Sequence, residues 1–363
     1  MAEKRTMKAA LMYGPNDVRV EDYPYPECED GGMILKVEAI GLCGSDIRNL
    51  TTDSRKGDYP HIYGHEHVGI IVEVGKDVKN YKVGDRIFAL AMAPCLKCRN
   101  CRAGRSDLCL EPMDYFHKQG GFAEYMPIPA IQVERGNLFP IPDDVDFAVA
   151  TLGEPVSPVY SCQQNIDVTM GDTVVVCGAG PIGCFQAQIA KMRGAKTVIA
   201  VEPNQGRLNM IKEFGADYLI NSSEEDPVKK VLELTGGKGG DKVITCNPSP
   251  QSQQQSVYMV APGGTICWFG GVPKGVTPEI DTNRVHYNQI WIYGHGNLTS
   301  IQSQEAYELA ISPEFHAERF ITHYMKLEDI MKGVELAKKG EALKIVIVPS
   351  EDYWKVLENE HRV

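Results

Sequence analysis

Apolar positions follow two different rhythms along this chain. Up to about residue 150 they come in short runs broken by Gly and Pro. The runs "ILKVEAIGLCG", "VGIIVEVG" and "DRIFALA" read as strands separated by turns. After about residue 170 the period changes. "DTVVVCGAG" reads as a buried strand and "PIGCFQAQIAKMRG" as a helix with Gly194 at its C-cap. "KTVIAVE", "DYLIN", "DKVITCN", "GTICWFGG" and "IWIYG" add five more strands, with "QGRLNMIKEFG" and "SQQQSVYMVAPG" as helices among them. Six short strands alternating with helices predict an α/β fold with a doubly wound parallel sheet. From about residue 300, "SQEAYELAI" and "LEDIMKGVELAKKG" read as helices and "LKIVIVP" as a closing strand. Since six strands already complete the sheet, this tail is expected to return to the first domain. The expected division is residues 1–160, 161–298 and 299–363.

The 363 residues suffice for two domains, each with its own core. The formal net charge of −11 disfavours a nucleic-acid binder or a protein held on an anionic membrane. The N-terminal stretch has charge but no apolar stretch like that of a signal peptide, and no run approaches the ~18 apolar residues of a spanning helix. A soluble, cytoplasmic protein with no membrane or nucleic-acid partner is therefore expected. Eleven cysteines, an odd number, argue for reduced thiols, some of them metal ligands.

"VVVCGAGPIG" places Gly178, Gly180 and Gly183 at G-x-G-x-x-G spacing around Pro181 and Ile182. The motif follows a predicted strand and opens a predicted helix, the context in which glycines let a pyrophosphate approach a helix N-terminus. Glu202, ending the second strand of this unit, can accept hydrogen bonds from ribose hydroxyls and would repel a 2′-phosphate. That favours NAD over NADP, while Arg207, a few residues on, keeps NADP open.

Cys95, Cys98, Cys101 and Cys109 are spaced C-x2-C-x2-C-x7-C. Four thiolates suit a closed tetrahedral zinc, which stabilises a loop but leaves no position for substrate. An iron–sulfur reading expects Pro after the last cysteine, where Leu110 stands. A zinc module for nucleic acid finds basic neighbours in Lys97, Arg99, Arg102 and Arg105, but within an acidic chain. A second, scattered set comprises Cys43 in "GLCGSD", His65 and Glu66 in "GHEHVG", and Glu154 in "TLGEPVSP". Such a mixed set is what an open, catalytic zinc site uses. The adjacent His67 is read as a packed or supporting residue.

In this order, "GLCGSD", "GHEHVG", the four-cysteine loop, "EP" and "CGAGPIG" resemble the zinc-dependent medium-chain dehydrogenase/reductase family over essentially the whole chain. The glutamate of "GEP" makes the chain most similar to polyol (sorbitol or L-iditol type) dehydrogenases, with polyol-phosphate and L-threonine dehydrogenases as relatives. The resemblance implies a Rossmann domain plus a mostly-β GroES-like catalytic domain with a structural zinc lobe. It also implies two zinc ions per chain, one structural and one catalytic, the latter held by Cys43, His65 and Glu66 or Glu154. The reaction implied is reversible oxidation of a secondary alcohol of a polyol or polyol phosphate, with hydride passed to NAD. Ser45 resembles the family's first proton acceptor, and Asp46 is expected to orient His65. A homotetramer, or else a dimer, is implied.

One departure stands out. Many relatives carry a histidine five residues after the zinc cysteine, and here that residue is Arg48. Arginine makes a poor proton relay, so either water completes the path or Arg48 contacts an anionic group on the substrate. The competing readings are an L-threonine 3-dehydrogenase-like or general secondary-alcohol dehydrogenase, and a structural protein that merely binds NAD. The last predicts loss of the mixed set, yet all four residues are present.

Overall fold

The spine of the first unit is the strand Met33–Gly41, buried at every position except Lys36. Its side chains divide between two cores because a bulge between Val37 and Ala39, in the pairing with Glu66–Val74, changes the face to which they point. Leu35 and Val37 pack with Ile71, Phe122, Ile345 and Ile347, whereas Ala39 packs with Val68, Phe88, Tyr307, Val346 and Val348. The structure, a computed structural model, describes residues 5–111, 113, 114 and 119–363. It divides into one unit of Met1–Ser157 with Leu298–Val363, and another of Pro158–Asn297.

In the first unit the strands run in the order Leu138–Pro140, Arg86–Ala89, Glu66–Val74, Met33–Gly41, Lys344–Val348 and Ile321–Lys326. Tyr125–Ile128 also pairs with Met33–Gly41. A smaller sheet joins Asp17–Pro24, Thr6–Gly14 and His61–Ile62. The expected strand "ILKVEAIGLCG" stops at Gly41, because Cys43 turns the chain into the helix Gly44–Thr51.

The second unit is a six-stranded parallel sheet in the order Tyr218–Asn221, Thr197–Glu202, Thr173–Cys177, Gly240–Thr245, Val260–Trp268 and Trp291–Gly294. The order reverses at Thr173–Cys177, the switch point where such sheets bind ligands. The helix Pro181–Met192 opens there, and Gly194 lies just past its end with a φ of 92°. Several helices stand outside the elements expected from sequence, among them Gly44–Thr51, Gly153–Asn165, Pro227–Leu234 and Glu351–Asn359.

The C-terminal segment is pinned to the first unit at Asp146, whose carboxylate caps the short helix Phe147–Ala150. The Tyr353 hydroxyl donates to Asp146 Oδ1 at 2.7 Å, and Arg362 Nη1 donates to Oδ2 at 2.7 Å. Burial alone would raise the Asp146 pKa, but hydrogen bonds from Arg362 and Tyr353 outweigh it and hold the carboxyl below its ordinary 3.8. A depressed folded pKa contributes stability above the unfolded value and loses it as pH falls through the folded one. Asp146→Asn is therefore expected to cost about 2 kcal/mol near neutral pH. The difference from wild type should close as pH drops below 3.8. Urea denaturation of both proteins across pH 3–7 checks this; a pH-independent difference would contradict it.

Candidate functional site

Three neighbouring strands end at one place. In the sheet register Gly41 lies opposite Glu66 on one side and Val346 on the other. The Leu42 N–H donates to Ile345 at 2.9 Å, which brings Lys344 beside the turn into Cys43. Glu66 is 0 % exposed and Lys344 3 % exposed, and their side chains form an ion pair. They meet across Gly41, where an added Cβ would lie 1.9 Å from Glu66 Oε2 and 2.8 Å from Lys344 Cε. Only glycine leaves that space.

The helix Gly44–Thr51 begins at Cys43. Asp46, buried in its first turn, reaches in two directions. One oxygen accepts from the Cys43 backbone N–H at 3.1 Å, and the other lies 3.2 Å from His65 Nδ1. A carboxylate facing Nδ1 selects the tautomer that leaves the Nε2 lone pair free for a metal. One side chain thus fixes both the cysteine turn and the imidazole. Ser45 is half-buried on the same helix, and its hydroxyl makes no hydrogen bond among the described residues. Arg48, one turn later, is exposed.

The donor atoms of Cys43, His65 and Glu66 all lie within 4.8 Å of one another. Glu154 sits at the start of the helix Gly153–Asn165, with Oε1 3.9 Å from His65 Nε2, outside that mutually close set. Burial would lower the His65 pKa, but the carboxylates of Asp46 and Glu154 hold it well above 6.5. Burial raises the Glu154 carboxyl, with Glu66 and Asp46 adding to it, to about 7. Burial likewise opposes the charge on Lys344, and Glu66 restores it. Glu66 Oε1 is buried with no hydrogen-bond partner among the described residues. With Lys344 paired to the other oxygen, this orphaned carboxylate oxygen beside a thiol and an imidazole is still a costly arrangement that a bound metal would relieve. The sulfur, nitrogen and oxygen donors together suit zinc. His67, two residues on, is fully buried with neither ring nitrogen hydrogen-bonded, and burial with His65 nearby pushes its pKa to about 3. It is neutral packing.

The four loop cysteines also converge, with their sulfurs within 4.8 Å of one another and Cys95 Sγ 3.9 Å from Cys101 Sγ. Zn–S bonds of about 2.3 Å in a tetrahedron need sulfurs about 3.8 Å apart. Backbone N–H groups of Cys95 and Glu111 point at Cys109 Sγ, and that of Cys98 at Cys95 Sγ. Backbone N–H donors, those of Leu110 and Cys101, pull the Cys98 thiol down to about 6, while burial and the neighbouring sulfurs push Cys101 up to about 12. Four thiolates cannot share this volume without a cation, and the donors suit a closed zinc site.

In the second unit Gly178 has a φ of 108°, and a Cβ on Gly183 would lie 1.9 Å from the Gly178 carbonyl oxygen. A Cβ on Gly180 would meet nothing within 4 Å, which leaves open room over the helix N-terminus formed by Pro181, Ile182 and Gly183. A pyrophosphate fits there. Glu202 accepts from the Ala179 N–H at 2.9 Å and from the Asn204 N–H at 3.2 Å. It borders a 670 Å³ cavity that Arg207, Ser222 and Asn247 also line.

Sequence reasoning missed Lys344 and Gly41. A lysine opening the apolar strand "LKIVIV" was the available signal, since a charged residue buried in such a run needs a partner; which partner depends on sheet register. The helix at Cys43 was also missed.

A family profile described as "Alcohol dehydrogenase GroES-like domain" matches residues 29–143, and one described as "Zinc-binding dehydrogenase" matches residues 181–312. The L-threonine 3-dehydrogenase of Bacillus velezensis is 30% identical over 335 residues, covering 91% of this chain and 95% of the relative. The sorbitol dehydrogenase of Bombyx mori is 29% identical over 348 residues, covering 93% and 97%. The structure of an alcohol dehydrogenase from Escherichia coli CFT073 complexed with cofactor NADH superposes with a TM-score of 0.85 at 26% identity, covering 94% of this chain and 99% of that one.

Proposed function

The chain belongs to the zinc-dependent medium-chain dehydrogenase family, and on that premise we propose that it oxidises a secondary alcohol of a polyol or a similarly substituted substrate to the ketone, with NAD as acceptor. The observation that carries the reading is the convergence of Cys43, His65 and Glu66 around an unpartnered buried carboxylate oxygen. Cys43 and His65, with Glu66 or Glu154, would hold the catalytic zinc, and Cys95, Cys98, Cys101 and Cys109 the structural one. Zinc held there would supply Lewis acidity toward a substrate hydroxyl, and NAD would supply the hydride acceptor. The protein's own groups do the rest. Asp46 keeps a proton on His65 Nδ1. Ser45 Oγ, uncommitted to any other partner, receives the substrate's proton and passes it to water, since Arg48 cannot relay it. Whichever of Glu66 and Glu154 does not hold the metal would accept a hydrogen bond from a neighbouring substrate hydroxyl. Lys344 balances Glu66, so that one carboxylate oxygen faces the metal side.

Glu202 at the ribose end of the nucleotide cavity supports NAD, although Arg207 shares that cavity. Sorbitol and L-threonine, the substrates in the relatives' names, are both secondary alcohols with polar neighbours. The test is coenzyme reduction by the zinc-loaded protein with NAD⁺ and NADP⁺, over sorbitol, polyol phosphates, L-threonine, 2,3-butanediol and ethanol. Turnover is expected with NAD⁺ and secondary alcohols. Failure on every secondary alcohol would overturn the reading.

A homo-oligomer, tetramer or dimer, is supported by the sheet edge of the second unit. The edge strand Trp291–Gly294 carries Trp291 at 72% exposure, with Tyr287 and Ile292 also exposed. An open apolar edge of this kind pairs readily with another chain. Trp291→Lys is expected to lower the assembly's mass by light scattering; an unchanged mass would contradict this placement of the interface. A cytoplasmic location fits the eleven unpaired cysteines, and no helix among the described residues is long and apolar enough to cross a membrane.

A further inference from the structure

We infer that Arg48 selects the substrate: it binds an anionic group, carboxylate or phosphate monoester, carried by the secondary alcohol. The inference rests on the dehydrogenase reading and narrows it.

Three observations carry it. The first is position. In the helix Gly44–Thr51 the buried residues are Asp46, Asn49 and Leu50. Gly44 and Arg48 are exposed and Ser45 is half-buried, so a solvent-facing stripe leads from the candidate metal ligand Cys43 past Ser45 to Arg48. Residues three apart on a helix are neighbours, with Cβ atoms about 5–6 Å apart. The Arg48 side chain therefore leaves the helix beside that of Ser45.

The second is its lack of a partner. The exposed arginines of this acidic chain divide into those that pair with a carboxylate and those that, like Arg48, Arg99 and Arg102, have none within 4.0 Å among the described residues; of the latter only Arg48 lies on the helix that starts at Cys43. Arg5, Arg19, Arg105 and Arg362 are all ion-paired. Among the described residues the Arg48 guanidinium has no carboxylate within 4.0 Å and no hydrogen bond. The nearest acid on its own helix, Asp46, is turned inward to the Cys43 backbone and His65. Lys344, the other cation of the site, is neutralised by Glu66.

The third is chemistry. A guanidinium is a poor proton carrier but presents paired N–H donors that match two oxygens of a carboxylate or phosphate. At this position it cannot extend a proton path from Ser45, and it can hold an anionic group carried by the substrate. L-Threonine offers a carboxylate and a polyol phosphate offers a phosphate; sorbitol offers neither.

The experiment compares zinc-loaded wild type with Arg48→Leu, Arg48→Lys and Arg55→Leu. Arg55 is a neighbouring arginine in the 3-10 turn Asp53–Arg55, which follows the helix. For each protein kcat/KM is measured on L-threonine and on sorbitol 6-phosphate, against sorbitol and 2,3-butanediol, together with the KM for NAD⁺. Arg48→Leu is expected to lower the anionic-to-neutral ratio of kcat/KM at least about tenfold, as loss of a charge-assisted hydrogen bond implies. Arg48→Lys should recover part of it, and Arg55→Leu should leave it where it was. Which anionic substrate suffers more tells carboxylate from phosphate. Equal losses on all four alcohols, or a loss confined to the KM for NAD⁺, would overturn the proposal. A second readout needs no turnover: calorimetric binding of inorganic phosphate and acetate, one of them expected to weaken at least about tenfold in Arg48→Leu. If wild type oxidises no secondary alcohol, the dehydrogenase reading fails by itself, while anion binding unchanged by Arg48→Leu fails the inference.

Discussion

Replacing Lys344 by methionine is expected to destabilise the zinc-free protein by about 3–5 kcal/mol, because it strands the fully buried Glu66 carboxylate without a counterion. For a unit of this size that lowers the melting midpoint on the order of 10 °C. Three features make the effect large. Glu66 cannot turn to water at 0 % exposure, and its Oε1 already lacks a partner. The strand register of Glu66–Val74, Met33–Gly41 and Lys344–Val348 leaves no slack to relax into. Zinc supplies positive charge at the same place, so the zinc-loaded variant should recover part of the loss. Glu66→Gln in the Lys344→Met background should recover most of the zinc-free deficit, since an amide has no charge to strand. Thermal unfolding of the four proteins in the double-mutant cycle, with and without zinc, reads the coupling. Strictly additive losses would show that the two side chains do not depend on each other.

The two cysteine clusters should respond in opposite ways to a single Cys→Ser change. Cys43→Ser removes a thiolate from the open, mixed set. Turnover is expected to fall about a thousandfold or more, because a Lewis acid gives several kcal/mol of stabilisation to the developing charge. The fold should survive, since Asp46 still accepts from the residue 43 backbone N–H. Cys98→Ser opens the closed set instead. Metal binding at such sites contributes folding energy directly, so the loop should loosen and its Arg99, Arg102 and Arg105 become rapid trypsin targets. The loosening should reach the helix Ser300–Ala310, whose Ser300 N–H donates to Ser106 Oγ at 3.2 Å. Limited proteolysis and metal content separate the two outcomes.

These contrasts mark what the sequence carried and what it did not. The four-cysteine site was legible because its ligands lie within fifteen residues and their spacing alone constrains the metal. The parallel sheet was legible because apolar strands such as "TVVVC" and "TVIAVE" alternate with helices at a fixed rhythm. The mixed set was legible as candidate donors, but not their convergence, since Cys43, His65 and Glu154 stand on separate segments. Asp46 joining Cys43 to His65 needed the capping turn at Cys43, which strand-like patterning through "IGLCG" concealed. Lys344 and Gly41 stayed invisible for a physical reason. Their partner, Glu66, is fixed by pairing between strands distant in sequence, and one residue of register slip would place it on the other face. Arg48 was noticed as a departure, but its lack of an ion pair is a fact of three dimensions.

The zinc assignment stands or falls on metal content and turnover measured on the same preparations of wild type and Cys43→Ser. Each of the two donor clusters should hold one zinc, so wild type should carry two per chain and oxidise a secondary alcohol. Cys43→Ser should retain the four-cysteine zinc alone and lose turnover. Wild-type turnover by a Cys43→Ser protein holding only that one zinc would contradict the assignment.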